Sequence, residues 1–176
     1  MHRLFVAICP PEAIRDLLID VMDDGAEFRW QSDDQLHLTL RFVGEVERPL
    51  ANDFAAALAT LRSAPFELRL SGLGSFDRRN GGVLWAGVDP AEPVRLLAAR
   101  VERLCQSVGL PPERRAFHPH ITLARWRGPR SREVREYLDG RKLTSPLFPV
   151  DAFVLFESQL SRHGAHYEAV ETFPLS

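Results

Sequence analysis

The segment His37-Leu38-Thr39-Leu40 recurs later in the chain as His120-Ile121-Thr122-Leu123. Both copies follow one pattern of histidine, aliphatic residue, threonine and aliphatic residue, and alternation of this kind is typical of a β-strand with one buried face. Because side chains alternate across a strand, the histidine and threonine of each copy share one face and the aliphatic residues share the other. The repetition predicts one site built from two strands.

The residue types of the repeat suit phosphate chemistry. An unperturbed imidazole titrates near ~6.5 and is the usual group for moving protons at neutral pH. A threonine two residues further on places a hydroxyl donor at the same spot. Two such strands side by side would line one cleft with two imidazoles and two hydroxyls. We therefore expect His37 and His120 to be catalytic and Thr39 and Thr122 to bind the substrate.

Length and composition predict one compact, cytoplasmic domain. With 176 residues, 45% of them hydrophobic, the chain can bury one core or two small lobes packed together. Cys9 and Cys105 form no CxxC pair, which argues against a disulfide scaffold and fits a reducing compartment. The sequence shows neither an apolar run of about 18 residues nor a signal peptide, so we expect no membrane contact. His118-Pro119-His120 lacks further ligands at metal-site spacing, so no metal site is expected.

Positive charge is concentrated around the second copy of the repeat. The formal net charge of the chain is −2, which does not suggest general nucleic-acid binding. Residues 113–135, however, contain seven arginines and two glutamates, a local net charge of +5. Guanidinium groups suit bidentate phosphate recognition, although a solvated arginine-rich loop would give the same pattern.

The predicted elements mix strands and helices without a regular β-α-β alternation, which indicates an α+β fold. Helical spacing and caps predict helices over 12–22, 49–61, 94–108 and 131–138. Apolar runs and alternation predict strands over 3–8, 28–30, 36–44, 66–70, 83–88, 121–126, 150–156 and 166–173. Strands 66–70 and 83–88 should form a hairpin, and the last two strands should turn around residues 161–164.

These residues resemble the two-histidine (2H) phosphoesterase superfamily and, within it, the bacterial and archaeal 2′-5′ RNA ligase family, also described as RNA 2′,3′-cyclic phosphodiesterases. The resemblance runs from end to end and rests on the repeats and their surroundings. The matching stretches are 3–7, 36–45, 73–76, 84–88, 117–125 and 157–160, followed by Gly164 and Tyr167.

The resemblance implies a single domain of two lobes over residues 1–176, with two antiparallel sheets related by a pseudo-twofold axis, helices on their outer faces and a central active-site cleft. It implies hydrolysis of a 2′,3′-cyclic phosphate at an RNA end to a 2′-phosphate and a 3′-hydroxyl, without a metal ion or cofactor. His37 is the implied proton donor and His120 the implied proton acceptor. The candidate substrates are RNA with a 2′,3′-cyclic phosphate end, tRNA fragments and small cyclic nucleotides, and we expect a monomer.

Two arginines are further candidates for substrate binding. The resemblance places Arg125 in the phosphate site, but strict alternation from His120 turns it away from the cleft unless the strand ends or bulges. Arg41 has the same parity as His37 and Thr39, so we expect it near the phosphate or facing solvent at the cleft rim.

Aromatic residues and two alternative functions complete the expectations. Tyr167 could stack on a base, as could Phe5 and Phe156, although alternating strand positions equally suit an aromatic core for the last two. The reverse reaction would join a cyclic phosphate end to a 5′-hydroxyl as a 2′-5′ linkage, and the sequence leaves this open. A non-catalytic RNA-end binding module of the same fold is the other alternative, although such a module would usually lack one histidine.

Overall fold

The computed structural model describes residues 1–23 and 27–176 and combines an antiparallel sheet with helices, which confirms the α+β prediction. The helices of the described residues are α1 (Glu12–Asp20), α2 (Arg48–Leu58), α3 (Glu92–Ser107) and α4 (Arg132–Gly140), with a 3-10 turn at Asp33–Gln35. The strands are β1 (His2–Ile8), β2 (Arg29–Trp30), β3 (Leu38–Val46), β4 (Phe66–Arg78), β5 (Gly81–Asp89), β6 (His120–Arg127), β7 (Phe148–Val150), β8 (Ala152–Ser161) and β9 (Gly164–Pro174).

The strands are hydrogen-bonded in the order β7-β4-β5-β6-β3-β1-β8-β9, and β2 pairs with β6. The order divides into two halves of four strands, each with a repeat-bearing strand, β6 or β3, at its inner edge. The resemblance implies two separate sheets, and the structure corrects this expectation. The two halves form one continuous strand order, joined by the pairing of Leu38 with Ile121. The link between the halves is short: β3 pairs with β6 at this position, while the rest of β3 is bonded to β1 and the rest of β6 to β5.

Element boundaries follow local chemistry. Strand β6 begins directly after Pro119, which cannot donate to a ladder. Strand β3 begins at Leu38, so His37 immediately precedes the strand. Strand β4 runs beyond the predicted range to Arg78 because its ladder with β5 continues past an irregularity between Leu70 and Leu73. The sequence pattern missed β7, which is three residues long and contains Pro149.

The aliphatic residues of both repeats lie in the main core, as the alternation predicts. Leu38, Leu40, Ile121 and Leu123 are each at most 4% exposed, and burial of such a side chain stabilises the fold by about 1.5–3 kcal/mol. They share a core cluster with the inner face of α3. A smaller cluster lies behind β6 and contains Phe28, Leu84, Ala124, Trp126, Val134 and Tyr137. Among the described residues, no helix combines the length and apolarity needed to span a bilayer.

Candidate active site

The pairing of Leu38 with Ile121 brings the two repeats together. Continuing this antiparallel register by one residue in each direction sets His37 opposite Thr122 and Thr39 opposite His120. Directly opposite residues point to the same face, so all four polar side chains lie on the face away from the core. The two histidines are then diagonal neighbours, at a spacing of about 7–8 Å between their backbones. A single phosphate can therefore reach both imidazoles.

A β-bulge occurs at the same place in both repeats. In β3, Thr39 pairs with Ala7 and Arg41 with Val6, so Leu40 is the extra residue. In β6, Thr122 pairs with Trp85 and Ala124 with Leu84, so Leu123 is the extra residue. A bulge shifts the alternation of all later side chains by one position. After the fourth residue of each repeat, therefore, the side chains that strict alternation would turn to the core face point to the cleft face, and the reverse.

The bulges reverse the orientation expected for two arginines. Arg41 follows Leu40 and is only 8% exposed, whereas Arg125 is exposed and lines the cleft. In the second repeat, buried Ala124 corresponds to Arg41. In the first repeat, Phe42 corresponds to Arg125, and this phenylalanine is 46% exposed and lines the same cleft. The sequence pattern does not select Phe42, because strict alternation from His37 would turn this residue to the core face.

Arg41 does not face solvent at the cleft rim, which corrects that alternative: it is buried and bonded to its neighbours, although it is among the residues that line the same cleft. Its Nε donates to Glu102 at 2.5 Å, and its two terminal nitrogens donate to the carbonyls of Phe42 at 2.6 Å and Pro111 at 2.5 Å. Burial raises the pKa of Glu102, but hydrogen bonds from Arg41, the Glu113 amide and Gln106 outweigh this and leave the pKa below its ordinary value. The arginine therefore joins β3, α3 and the segment after α3.

His37 is enclosed by aromatic rings. Phe5 stacks on its imidazole at 4.9 Å between ring centroids, Tyr167 meets it edge-on at 5.3 Å, and Phe156 lies at 6.2 Å. Burial lowers the pKa of His37 to about 4; a hydrogen bond to the Gln35 backbone opposes the shift, and the nearby charge of His120 adds to it. His37 is therefore neutral in the free protein at neutral pH.

His120 has a similar attachment but different neighbours. Its Nδ1 hydrogen-bonds the His118 carbonyl at 2.6 Å, which is a contact to the residue two positions earlier, as for His37 and Gln35. The ring of Phe76 meets it edge-on at 5.0 Å, and Trp85 lies at 6.2 Å. Burial lowers the pKa of His120, the bond to His118 opposes this, and the charges of His118 and Arg125 lower it further. With Nδ1 donating, the Nε2 lone pair is available for proton transfer.

Tyr167 and Arg125 lie at the boundary between the two repeats. Tyr167 is half-buried on β9, beside both His37 and Phe5. Burial raises the pKa of its phenol, and the positive charges of Arg125 and Arg3 act in the opposite direction. The structure thus places Tyr167 against His37, and Arg125 in the cavity lined by Thr39, Thr122 and His120.

The cleft continues into a cavity of about 660 Å³ on the His120 side. Thr39, Thr122 and His120 line it together with residues of α3 and of the segment that leads into β6. This volume lies in the range of small-molecule and cofactor sites. His118 also lines the cavity, yet within the part of the chain that the structure describes, no group of three or more His, Cys, Asp or Glu side chains could hold a metal ion.

An α+β fold in which two His-x-Thr-x segments meet on one face of an antiparallel sheet defines the class of two-histidine phosphoesterases. The family model of the 2′-5′ RNA ligase superfamily matches residues 10–162. The chain belongs to this superfamily.

Several relatives carry the name RNA 2′,3′-cyclic phosphodiesterase. The chain is 37% identical to the Thermus thermophilus protein over 185 residues, which cover 98% of this chain and 90% of that protein. It is 41% identical to the Aeropyrum pernix protein over 109 residues, covering 61% of this chain and 62% of that protein. The match to the Geobacillus stearothermophilus protein is 36% over 152 residues, covering 83% and 47% respectively. The last two alignments span less than two thirds of the relatives' lengths.

Solved structures support the same family. Apo LigT from Escherichia coli superposes with a TM-score of 0.82 at 27% identity, covering 99% of this chain and 98% of that one. LigT complexed with 3′-AMP gives a TM-score of 0.80 at the same identity and coverage. A relative with this fold therefore binds a nucleoside monophosphate.

Proposed function

We infer that this chain, as a single domain of two lobes, is an RNA 2′,3′-cyclic phosphodiesterase that needs no metal ion. It opens the cyclic phosphate at an RNA end to give a 2′-phosphate and a 3′-hydroxyl. The observation that carries this inference is the convergence of His37 and His120 on one face, each ring held by the backbone two residues earlier. The names of the relatives support the choice of substrate.

The reaction forms one bond to phosphorus and breaks another. His120 Nε2 accepts a proton from water as the water oxygen attacks phosphorus. The P–O3′ bond breaks, and His37 donates a proton to O3′, which leaves a 2′-phosphate and a 3′-hydroxyl. Each proton-transfer group typically contributes ~10² to 10⁴ to the rate. The two histidines exchange protonation states in one turnover and are restored through solvent.

The donor role requires a change in the protonation of His37 when substrate binds. Its pKa of about 4 in the free protein means that the imidazole carries no proton for donation at neutral pH. A bound phosphodiester brings a negative charge, and an opposite charge within a few ångströms raises the pKa of a histidine. Substrate binding is therefore coupled to proton uptake at the site.

The remaining cleft residues hold the phosphate and the nucleoside. Thr39 and Thr122 donate hydrogen bonds to the non-bridging oxygens, and Arg125 neutralises their charge. Charge-assisted hydrogen bonds of this kind are stronger than those between neutral groups. Tyr167 contacts the nucleoside beside His37. Arg41 is excluded from the ligand set because its guanidinium donates to Glu102 and two carbonyls.

The main test uses an oligoribonucleotide with a 2′,3′-cyclic phosphate end, incubated with the protein and excess chelator. The product's phosphate position is read by its sensitivity to enzymes specific for 3′- or 2′-phosphates. A 2′-phosphate is expected. A 3′-phosphate contradicts the assigned leaving group, loss of turnover with chelator contradicts metal independence, and binding without turnover favours the RNA-end binding module. Adding 5′-hydroxyl RNA detects ligation as a 2′-5′ linked product.

A second test assigns the two proton-transfer roles. A cyclic substrate with sulfur in place of O3′ has a leaving group that needs no proton, because a thiol is far more acidic than an alcohol. Turnover of this substrate should survive in His37→Ala and remain absent in His120→Ala. The reverse result would exchange the donor and acceptor roles.

A further inference from the structure

The cavity beside the active site is lined by His120, and His37 is not among its lining residues. Three aromatic rings, those of Phe5, Phe156 and Tyr167, surround His37. The 660 Å³ cavity extends from His120 towards α3. A 2′,3′-cyclic phosphate exists only at the 3′ end of an RNA, so the rest of the strand must leave through the 5′ side of the terminal nucleoside. The cavity offers this strand a route.

The far part of the cavity carries unpaired positive charge. Arg78 at the end of β4 and Arg95 on α3 line it together with Arg125. The ion pairs found in residues 1–23 and 27–176 involve none of these three arginines. Their charges are therefore available to an anionic ligand.

Aromatic and small residues line the cavity together with the arginines. Phe42, Phe76 and Phe117 contribute rings, and Ala98 and Ala99 keep the wall at α3 low beside Arg95. The Arg41 network joins α3 to the segment that follows it, because Arg41 donates to the Pro111 carbonyl and Glu102 accepts from the Glu113 amide. Aromatic surfaces along a positively charged groove are typical of proteins that bind single-stranded nucleic acids.

We propose that this groove binds the nucleotides on the 5′ side of the cyclic end, with Arg95 and Arg78 contacting their phosphodiesters. The proposal rests on the proposed function and adds a preference to it: the protein selects RNA strands over cyclic mononucleotides. Arg95 and Arg78 are specificity-determining residues that lie outside the reacting group.

The test compares kcat/KM for adenosine 2′,3′-cyclic phosphate and for a tri-adenylate with a 2′,3′-cyclic end. The wild-type ratio of trinucleotide to mononucleotide should be at least about tenfold, and Arg95→Ala or Arg78→Ala should lower it about tenfold, as for loss of one charge-assisted contact. Arg95→Lys should retain most of the preference. Ala99→Glu, at an exposed helical position, should lower the ratio by placing a carboxylate in the groove. Arg103→Ala, on the exposed face of α3 outside the cavity, is the matched control and should leave the ratio unchanged.

Salt dependence provides a second measurement. A plot of log association constant for the trinucleotide against log salt concentration has a negative slope. In Arg95→Ala this slope should be smaller in magnitude than in the wild type by about 0.7, the value for one lost phosphate contact. A wild-type ratio near one, or a ratio that Arg95→Ala and Ala99→Glu leave unchanged, would overturn the proposal. If neither substrate is turned over, the proposed reaction is refuted. The groove proposal is then tested separately by the binding of mono- and trinucleotide 2′-phosphates, and equal affinities would overturn it.

Discussion

The first half-site consists of His37, Thr39 and Phe42, and the second of His120, Thr122 and Arg125. Each contains a strand that bulges at the fourth residue of its repeat, and each histidine ring bonds to the backbone two residues earlier. They differ at the residue that the bulge returns to the cleft, which is aromatic in one and cationic in the other. The comparison shows that the two halves share the backbone geometry around their histidines and differ in chemistry at the position after the bulge; under the proposed function, these two positions meet different parts of the substrate.

The largest expected effect tests whether the halves share the chemistry. His37→Ala and His120→Ala should each lower kcat on the cyclic end by roughly 10² to 10⁴. The kcat of the double variant should be only slightly lower than that of the less active single variant, because the two rings act as one unit. Single-turnover kinetics on a cyclic-ended oligoribonucleotide measure the chemical step directly.

His163→Ala is the control for this pair, because His163 is exposed in the β8–β9 turn. This variant should retain normal turnover, and thermal unfolding should show that all variants remain folded. Near-normal kcat in either cleft variant, with the fold intact, would show that one half-site alone performs catalysis.

The next effect separates the two halves. Arg125→Ala should lower kcat/KM about 10-fold to 100-fold, because a hydrogen bond to a charged group contributes about 1.5–3 kcal/mol. Phe42→Ala should lower it about tenfold through a higher KM, as expected for loss of one base–aromatic stack. Phe42 already lies against the Arg3 guanidinium, 5.3 Å from its ring centroid, on one side.

An abasic substrate distinguishes these two effects. With a cyclic phosphate on an abasic ribose, Phe42→Ala should match the wild type, whereas Arg125→Ala should still be impaired. Leu160→Ala removes another exposed apolar side chain, away from the cleft, and should change neither substrate. An equal loss on normal and abasic substrates for Phe42→Ala would exclude base stacking.

The sequence predicts the symmetric part of the site and fails where the bulges act. Alternation alone places the histidines and threonines on one face and the four aliphatic residues in the core, and the structure agrees. A bulge depends on the pairing of neighbouring strands, which no local pattern records. Alternation from His37 predicts Arg41 near the phosphate or facing solvent, but Arg41 is buried; it would turn Phe42 to the core face, but Phe42 is exposed.

The fold shows the same division between local and non-local information. All four helices of the described residues, and the hairpin of β4 and β5, follow from local spacing and turns. Strand β7 was missed because three residues carry too little pattern, and its pairing with Phe66–Leu68 of β4 defines it instead. The union of two halves through Leu38 and Ile121 is likewise a long-range contact that the sequence does not display.

A third prediction concerns the ion pair between the buried Arg41 of the first half and the partly buried Glu102. Glu102→Gln should reduce the free energy of unfolding by about 2 kcal/mol, because it leaves the buried Arg41 guanidinium without its counter-charge. Asp77→Asn removes an exposed pair with Arg130 and should change stability by no more than about 0.5 kcal/mol. Urea unfolding measures both, and equal effects would show that burial adds nothing to the Arg41 pair.

The smallest expected effect is the pH dependence of stability. Burial lowers the pKa of His37 to about 4, and of His120 below its usual value, whereas both titrate near ~6.5 when unfolded. Between these values the unfolded chain binds more protons than the folded one. The stability present above about pH 6.5 is therefore lost progressively as the pH falls towards 4.

Replacing each ring by asparagine sharpens the comparison of the halves. His37→Asn should reduce the fall in Tm between pH 7.5 and pH 5 by a few degrees, about the shift that 1 kcal/mol produces in a chain of this size. His120→Asn should change the fall in the same direction. His163→Asn should leave the fall unchanged. The variant with the larger reduction identifies the ring that resists protonation more strongly in the free protein. If that ring is His37, its role as donor depends on the negative charge of the bound phosphate, and nucleotide 2′-phosphates should then bind more tightly at pH 5.5 than at pH 7.5. An unchanged fall in Tm in both variants would show that neither imidazole is buried as a neutral group.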